Sequence, residues 1–305
     1  MATQLWADLS GIGTQGIIKL MGDTPLQDVV PKADITVERD TPVSRLINAG
    51  GHAAPLVCQM ATDIAIEKAA GLGIGLVGVH NTFSSNSTQA LYAERIASAD
   101  CIGIVASTCS GSMAPFDSID PLFGTNPIGF SFPTEDDPLV FDMATSAMTW
   151  YGLILAKAQG ADIPHDMAID HEGNPTTNPG QAMKGALLPF DRGYKGSALG
   201  MVIEVVAGPL VRAAYCDVAG EGEWGSLFIA IDPEVVVGRE EFKRNCSDLI
   251  RKIKASRRRE GADALRLPGE RARSFRRTAQ ETGMVEIDDA LLRELGYLQS
   301  AAGGG

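Results

Sequence analysis

Pro121-Leu-Phe-Gly-Thr-Asn-Pro-Ile-Gly-Phe-Ser-Phe-Pro133 and Leu139-Val-Phe-Asp-Met-Ala-Thr-Ser146 are two apolar segments with small polar residues at their ends. Residues 128–132 and 139–141 carry the apolar runs of a buried strand pair, and residues 134–138 between them have the composition of a turn. Ser146, or Thr145 before it, is a good N-cap for a helix over residues 147–159. The two segments therefore predict a β-hairpin that leads into a helix.

Polar side chains lie at one end of this predicted hairpin. Thr125 and Asn126 precede the first strand, while Asp142, Thr145 and Ser146 end or follow the second. The predicted helix N-terminus points at the same neighbourhood, and helix N-termini favour anions. The pattern predicts a site for a polar or anionic ligand. An ordinary hairpin with capped ends is the alternative, because short motifs often match by chance.

The composition indicates a globular α/β protein. A chain of 305 residues suits one large or two small domains, and 45% hydrophobic residues with 34 glycines are typical of a turn-rich α/β fold. The net charge of −12 argues against a general nucleic-acid-binding surface. No apolar run approaches the ~20 residues that cross a bilayer, and residues 1–19 do not have the pattern of a signal peptide. We therefore expect a cytoplasmic protein with no nucleic-acid and no membrane partner.

Two further features have plain interpretations. The five cysteines are widely spaced and form no CxxC pair, so neither a disulfide framework nor a zinc site is indicated, and no metal site is expected. The arginine-rich region 251–277 could be a phosphate or nucleic-acid patch. Such a run is more often a solvated helix face, and this one lacks the interleaved aromatic residues of a base-stacking surface.

Three other turns carry hydrogen-bonding side chains. Gly11-Ile-Gly-Thr-Gln-Gly-Ile-Ile-Lys19 holds three glycines within six residues, which let a backbone approach a ligand closely. The predicted buried strand 73–79 runs into the polar loop 80–87, and the strand 101–106 ends in the small polar residues 107–112. Lys195 stands where a long apolar helix begins, which is unfavourable beside the positive end of a helix unless an anion or a carbonyl lies nearby. A solvated lysine that turns away is the alternative.

Taken in order, several motifs resemble the malate/L-lactate dehydrogenase family of the non-Rossmann kind, which includes ureidoglycolate and sulfolactate dehydrogenases and piperideine-2-carboxylate reductases. The resemblance covers nearly the whole chain. Its motifs are Ala7-Asp-Leu-Ser-Gly11, Gly124-Thr-Asn-Pro127, Asp142-Met-Ala-Thr-Ser146, Asp170-x-x-Gly-x-Pro-Thr-Thr177, Leu187-Leu-Pro189, Tyr194-Lys-Gly-Ser-Ala-Leu199 and Leu267-Pro-Gly-Glu270. Each motif is weak alone, and their shared order is what carries the resemblance.

The resemblance implies an α/β fold with a mostly antiparallel central sheet wrapped by helices, in a homodimer whose active site lies near the subunit interface. It implies an oxidoreductase that uses NADPH or NADH and acts on a small substrate with a carboxylate. Residues 46–234 would form the cofactor-binding domain, and residues 1–45 with 235–305 a helical substrate and dimerisation region. By position, the residues that would contact the cofactor are Thr108, Cys109, Thr125, Asp142, Met143, Ala144 and Lys195.

Three positions depart from the pattern of the family that the chain resembles. The family histidine and arginine of the glycine-rich loop are Gln15 and Lys19 here, and a second family histidine is Ser84. An imidazole titrates with a pKa near ~6.5 and can act as a general acid, whereas glutamine and serine cannot near neutral pH. The usual proton donor is therefore missing at both histidine positions, which are Gln15 and Ser84 in this chain.

The first interpretation is that the enzyme needs no strong acid. Reduction of a C=N bond that is already protonated requires only hydride delivery and binding of the carboxylate. Lys19 would pair with that carboxylate as a point charge, and Thr14, Gln15 and Ser84 would orient the substrate. We therefore predict an NAD(P)H-dependent reductase of a cyclic imino acid or a related 2-oxo acid analogue.

Two other interpretations stay open. Another side chain could supply the proton, namely His80, Tyr194 or Lys195, although a lone histidine is more often structural. Alternatively, the chain is a catalytically impaired homologue that binds a cofactor or serves as a partner subunit. The intact positions Thr125, Asp142 and Lys195 argue against complete loss of function.

Overall fold

A computed structural model describes residues 2–20, 28–216, 219–220, 222–294 and 296. Its centre is a seven-stranded sheet in the order β1-β2-β3-β10-β4-β5-β6, in which only β2 and β3 are parallel. The other pairs are antiparallel. The strands are β1 Thr36–Asp40, β2 Ser44–Asn48, β3 Ile74–Thr82, β4 Ile102–Ser107, β5 Ile128–Phe132, β6 Leu139–Met143, β7 Ala168–Ile169, β8 Pro175–Thr176, β9 Ala186–Leu187 and β10 Trp224–Ile231. Strands β8-β7-β9 form a small second sheet. The predicted α/β fold with a mostly antiparallel central sheet is confirmed.

Helices cover the sheet and join its strands. Their bounds are α1 Ala2–Leu9, α2 Ala54–Leu72, α3 Gln89–Ala97, α4 Trp150–Gln159, α5 Pro179–Ala182, α6 Tyr194–Ala207, α7 Arg239–Lys254, α8 Glu270–Thr282 and α9 Asp289–Glu294, with 3₁₀ turns at Gly13–Gln15, Ile17–Leu20, Pro209–Val211 and Pro233–Val235. Helix α8 has no counterpart among the sequence-based predictions. The sequence also predicts a last helix over residues 287–298, capped by Asp288 or Asp289; α9 occupies part of this range, and residues 295 and 297–298 lie outside the described part of the chain.

The predicted hairpin is present, but the helix after it begins later than expected. Strands β5 and β6 pair with Gly129 opposite Asp142. Residues 145 and 147 donate their backbone N–H groups to the carbonyls of residues 125 and 188, which lie in other segments, so residues 145–147 are not helical. The N-cap of α4 is Thr149, whose Oγ1 accepts a hydrogen bond of 3.1 Å from the Gly152 N–H. The predicted caps Ser146 and Thr145 were therefore wrong.

One face of the sheet packs against α2 and α3 and forms the largest apolar core. Alanines of α2, such as Ala61 and Ala65, are fully buried against β3 and β10. Their small size allows a close approach, because a Cβ at Gly75 of β3 would lie 2.0 Å from the Ala65 carbonyl oxygen. The rings of Tyr92 and Phe228 meet edge to face at 5.7 Å. Truncation of Phe228 to alanine would cost about 3–5 kcal/mol, since it would leave a cavity in this core.

Helix α6 packs on the other face, where Ile203 and Ala207 bury against Ala106 and Ile128. The segment Tyr194–Val211, which includes α6, is 18 residues long with a mean hydropathy of 1.2, so by length and composition it could cross a membrane. In the fold 39% of it is buried. The segment thus differs from the expectation that no apolar run approaches the length of a span, but a core helix of a globular protein can have the same length and composition, so it is weak evidence for a membrane span.

The boundary at residue 45 between the two predicted regions remains a prediction. Strand β1 lies on the helical side of this boundary, yet it pairs with β2 at the edge of the central sheet.

Candidate active site

The polar ends of several elements surround one cavity of about 300 Å³. It lies between the 3₁₀ turns after α1, the loop before α3, the loop after β4, the hairpin β5–β6 and the start of α4. The residues that line it are Ile12, Thr14, Gln15, Lys19, Ser85, Asn86, Ser87, Thr88, Ser107, Thr108, Cys109, Ser110, Gly111, Ser112, Thr125, Pro127, Asp142, Met143, Ala144, Thr149, Trp150, Tyr151, Ile154 and Trp224. A volume of this order is within the range of small-molecule sites.

Nine of the predicted site residues line this cavity. They are Thr14, Gln15, Lys19, Thr108, Cys109, Thr125, Asp142, Met143 and Ala144. They come from four separate parts of the chain, which the fold brings together around a single space. The other three predicted residues, His80, Ser84 and Lys195, do not line it.

Lys19 is the cation of the cavity wall. Its side chain is almost fully buried, with 2% exposure, and Nζ lies 3.4 Å from the centroid of the Tyr151 ring. Contact with the face of an aromatic ring stabilises a cation, but full hydration stabilises it more. Burial therefore lowers the pKa of Lys19 well below its ordinary range, while negative charge on Cys109 would raise it.

Asp142 is held by the start of α3. Its carboxylate accepts hydrogen bonds from Thr88 Oγ1 and from the backbone N–H of Ala90, the latter at 3.0 Å. Burial raises the pKa of Asp142, and these hydrogen bonds to its charged form oppose that effect. The aspartate thus ties β6 to the N-terminus of α3 at the cavity wall.

Asn126 anchors the turn that carries Thr125 through hydrogen bonds to helix α6. Asn126 is fully buried and has a φ of 38°, a left-handed conformation that asparagine tolerates better than most residues. Its Nδ2 donates to the Gly200 carbonyl at 3.0 Å and to Glu204 Oε2 at 2.6 Å. Glu204 Oε1 also accepts from the Cys216 N–H at 2.8 Å. Burial raises the pKa of Glu204, and the hydrogen bonds from the Cys216 N–H and from Asn126 lower it.

The loop after β4 supplies a thiol and several hydroxyls. Cys109 Sγ lies 3.7 Å from Thr125 Oγ1, and burial raises the pKa of this thiol. Ser112 Oγ is buried and finds no hydrogen-bond partner among the described residues. A buried hydroxyl without a partner costs free energy, so a ligand that bonds Ser112 would recover it.

The family pattern has histidines at the positions of Gln15 and Ser84. Only the first of these two residues lines the cavity. Gln15 lines the cavity, and Ser87 Oγ donates to its carbonyl at 2.5 Å. Ser84 lies beside the wall residue Ser85, but it is 1% exposed and its Oγ has no partner within the described part of the chain. Ser84 itself does not line the cavity.

The three residues considered as substitute proton donors lie away from the cavity wall. His80 belongs to β3, which runs to Thr82 rather than ending at residue 79 as predicted, and its Nε2 lies 3.3 Å from Glu38 Oε2. Tyr194, 66% exposed, and Lys195, also exposed, stand at the start of α6. The roles predicted for these residues remain predictions.

Sequence reasoning did not select several wall residues. Ser85 to Ser87 belong to the predicted polar loop 80–87, and no prediction covers Thr88. Tyr151 lies in the predicted helix 147–159, and Trp224 opens a run, residues 224–231, that predicts a strand. The signal that could have found Tyr151 is its position two residues after the cap of α4. Trp224 opens β10, whose neighbour β4 leads into the loop 107–112.

A second cavity of about 270 Å³ adjoins the first. Ile12 and Asp142 line both spaces. The other residues around the second cavity are Trp6, Ser10, Ala90, Glu94, Val140, Gly269, Arg271 and Ala272. The described residues include no group of three or more histidine, cysteine, aspartate or glutamate side chains that could hold a metal ion.

Comparisons with known proteins agree with this architecture. A family model described as malate/L-lactate dehydrogenase matches residues 1–296. The malate/(S)-sulfolactate dehydrogenase of Methanothermus fervidus is 34% identical over 299 residues, which cover 95% of this chain and 86% of that protein. The Δ1-pyrroline-2-carboxylate/Δ1-piperideine-2-carboxylate reductase of Pseudomonas putida is 36% identical over 269 residues, which cover 82% of this chain and 74% of that protein. The solved structure of sulfolactate dehydrogenase from Methanocaldococcus jannaschii has a TM-score of 0.81 and 30% identity, and the match covers 99% of this chain and 89% of that one.

Proposed function

Because the chain belongs to the malate/L-lactate dehydrogenase family, we propose that it transfers hydride from NADH or NADPH to a cyclic imino acid, or to a related 2-oxo acid analogue with a C=N or C=O bond. That it is an oxidoreductase with a nicotinamide cofactor follows from the family. The substrate is the part that we propose. It is supported most directly by the cavity, whose wall contains Lys19 but no imidazole among the described residues.

The cavities have features that fit a dinucleotide. Two adjoining spaces share Ile12 and Asp142, which suits a ligand with two separated ring systems. The wall offers apolar and aromatic surface, such as Trp150 and Trp224, together with the hydroxyl of Ser112, which has no partner in the part of the chain that the structure describes. When bound, the reduced nicotinamide supplies the hydride.

Named wall residues would hold this cofactor. We propose that Thr125, Asp142, Met143 and Ala144 contact it, with Thr108 and Cys109 from the loop after β4; all six line the cavity. The contact predicted for Lys195 stays a prediction, since this lysine is exposed at the start of α6.

The polar residues of the first turns would bind the substrate. Thr14 and Gln15 offer hydrogen bonds, and the Lys19 ammonium would pair with the substrate carboxylate. A protonated cyclic imine needs no further acid, because its C=N bond already carries the proton that a carbonyl would have to gain. A protein with glutamine at position 15 and serine at position 84 is therefore suited to imines.

We further propose a homodimer in the cytoplasm. Helix α6 exposes an apolar stripe at helical spacing, formed by Tyr194, Met201, Val202 and Val205, and Leu210 of the following 3₁₀ turn is also exposed; each is more than half exposed. A contiguous apolar surface of this kind marks an interaction site in soluble proteins, and a second copy of the same chain is the commonest partner.

The proposal is tested by turnover of the purified protein. We expect loss of absorbance of the reduced cofactor with Δ1-piperideine-2-carboxylate or Δ1-pyrroline-2-carboxylate, at a higher kcat/KM than with pyruvate or oxaloacetate. Turnover of simple 2-oxo acids alone would contradict the imine proposal. Coenzyme binding without any turnover would favour the alternative of a catalytically impaired family member that binds a cofactor or partners an active subunit.

A variant sharpens this test. Gln15→His places an imidazole on the cavity wall and should raise kcat/KM for 2-oxo acids relative to imines, because carbonyl reduction gains a general acid. Gln181→His makes the same change at an exposed position of α5 and serves as the matched control. An equal ratio in both variants would show that the missing imidazole does not set the substrate preference.

A further inference from the structure

We infer that Lys19 does more than bind a carboxylate: its ammonium group donates the proton when a C=O bond, or an unprotonated C=N bond, is reduced in this cavity. The inference rests on the proposed function, because it assigns a role within that reaction. It differs from the roles considered from the sequence, in which Lys19 was only a charge partner and the substitute donors were His80, Tyr194 and Lys195.

The location of Lys19 carries the inference. It is the one amine among the described residues that line the cavity, and its Nζ lies 3.4 Å from the ring centroid of Tyr151, which lines the same cavity. The three substitute donors are not part of that wall. The position therefore places a group that can lose a proton where the substrate would lie.

The other titratable groups of the cavity wall make different contacts. Asp142 accepts hydrogen bonds from Thr88 and Ala90, as an ionised carboxylate would. The Cys109 thiol contacts Thr125, and burial raises its pKa. Tyr151 presents its ring face to Lys19. Lys19 is the cation among these groups, and burial lowers the pKa of its ammonium group, which makes it a stronger acid than an exposed lysine.

The proposed step balances as follows. A C–H bond forms at the carbon of a 2-oxo acid with the hydride that the reduced coenzyme would supply, whose own C–H bond breaks; the coenzyme is oxidised and the substrate reduced. The electron pair of the C=O π bond moves onto oxygen. The Lys19 N–H bond breaks, its proton joins that oxygen, and a 2-hydroxy acid and a neutral amine result. Solvent then reprotonates Lys19. One ammonium can serve carboxylate and carbonyl together, because it has three N–H donors and the two substrate oxygens are neighbours.

Lys19→Arg separates binding from proton donation. Arginine keeps the charge but does not release a proton near neutral pH. We expect kcat for 2-oxo acids to fall roughly 100-fold or more while KM changes by less than about 3-fold, since general acid catalysis typically contributes that much. Below the pKa of its own nitrogen, a cyclic imine already carries its proton, so its reduction by the variant should keep its kcat. Above that pKa, kcat should fall with rising pH more steeply in the variant than in the parent enzyme.

Two controls accompany this variant. Lys157→Arg, the same change at an exposed lysine of α4, should leave both reactions unchanged. Asp8 contacts the Ile17 N–H of the same turn and has a pKa raised to about 6 by burial, so the pH profiles are repeated in Asp8→Asn to remove its titration.

A measurement without turnover gives an independent answer. Binding of pyruvate to the enzyme with oxidised coenzyme is followed by calorimetry in buffers of different ionisation enthalpy. The parent enzyme should take up protons as pyruvate binds, increasingly so at higher pH, because the carboxylate favours the ammonium form of Lys19. Lys19→Arg should take up none.

Several outcomes would overturn the inference. Full kcat for 2-oxo acids in Lys19→Arg would do so, as would parallel pH dependences of imine reduction in parent and variant, equal proton uptake in both, or loss of activity in Tyr151→Phe with none in Lys19→Arg. If the larger arginine prevents folding, Lys19→Ala with added propylamine replaces it, and rescue of kcat by the amine is then the expected result. Failure of the parent enzyme to turn over any substrate would instead count against the proposed function.

Discussion

Asp8 gives the most quantitative prediction, because burial disfavours the charged form of its carboxyl. It lies beside the two 3₁₀ turns that carry Gln15 and Lys19. The carboxylate is half-buried, and its Oδ2 accepts a hydrogen bond of 2.9 Å from the Ile17 N–H. Burial raises the pKa of Asp8 from 3.8 to about 6, and this hydrogen bond opposes the rise. The folded protein therefore holds the proton more tightly than the unfolded chain.

The sign and size of the effect follow from linkage. A raised pKa in the folded state means that stability is full below pH 3.8 and is lost as the pH rises to about 6. Each pKa unit corresponds to about 1.4 kcal/mol, so this shift, taken without solvent screening, would cost about 3 kcal/mol at neutral pH. Solvent screening at a half-buried carboxylate reduces the cost to about 1–2 kcal/mol.

Asp8→Asn should remove this cost, because the amide is neutral and its Oδ1 can accept the same N–H. We expect urea unfolding to give the variant about 1–2 kcal/mol more stability than the parent at about pH 8 and an equal stability at about pH 4. Asp232→Asn is the control of opposite sign, since hydrogen bonds from Arg239 lower the pKa of Asp232. A variant at position 8 that is less stable at neutral pH, or a difference that does not change with pH, would refute the reasoning.

Two further predictions concern the turn below the cavity and the apolar stripe of α6. Asn126→Ala should lower the free energy of unfolding by about 3–5 kcal/mol, since it removes two buried hydrogen bonds, takes the donor from Glu204 Oε2 and puts alanine at a left-handed φ. Urea unfolding of this variant beside Asn126→Gly, which should recover the backbone part of the loss, measures it; a midpoint equal to that of the parent would disprove the effect. Val205→Lys should convert the proposed dimer to a monomer in light scattering with the fold intact by circular dichroism, and an unchanged molar mass would argue that the stripe does not form the interface.

The fold was largely predictable from the sequence where apolar runs and turns are local. The hairpin β5–β6 and the strand Trp224–Ile231 follow from short apolar runs between polar turns. Helix α8 was not recognised, since most of its residues are exposed and only Ala279 among its described residues is buried. The start of α4 was misplaced because backbone pairing of residues 145 and 147 with other segments is a tertiary effect that no local pattern reveals.

The candidate site was predictable only where the resemblance supplied ordered motifs. Nine predicted residues line the cavity, among them Gln15 and Thr125, which are far apart in the sequence. The burial of Lys19 against Tyr151 was not foreseeable, because it depends on how the turn Ile17–Leu20 packs on α4. Nor could the sequence show that His80 lies in β3 beside Glu38, away from the cavity wall.

The three tryptophans of the chain provide the most direct test that a nicotinamide cofactor binds in these cavities. Trp150 and Trp224 line the first cavity and Trp6 lines the second. Titration with NADH or NADPH should therefore quench tryptophan emission and sensitise emission from the reduced nicotinamide, with saturation. Tryptophan fluorescence that stays unchanged at high concentrations of both reduced coenzymes would contradict the account.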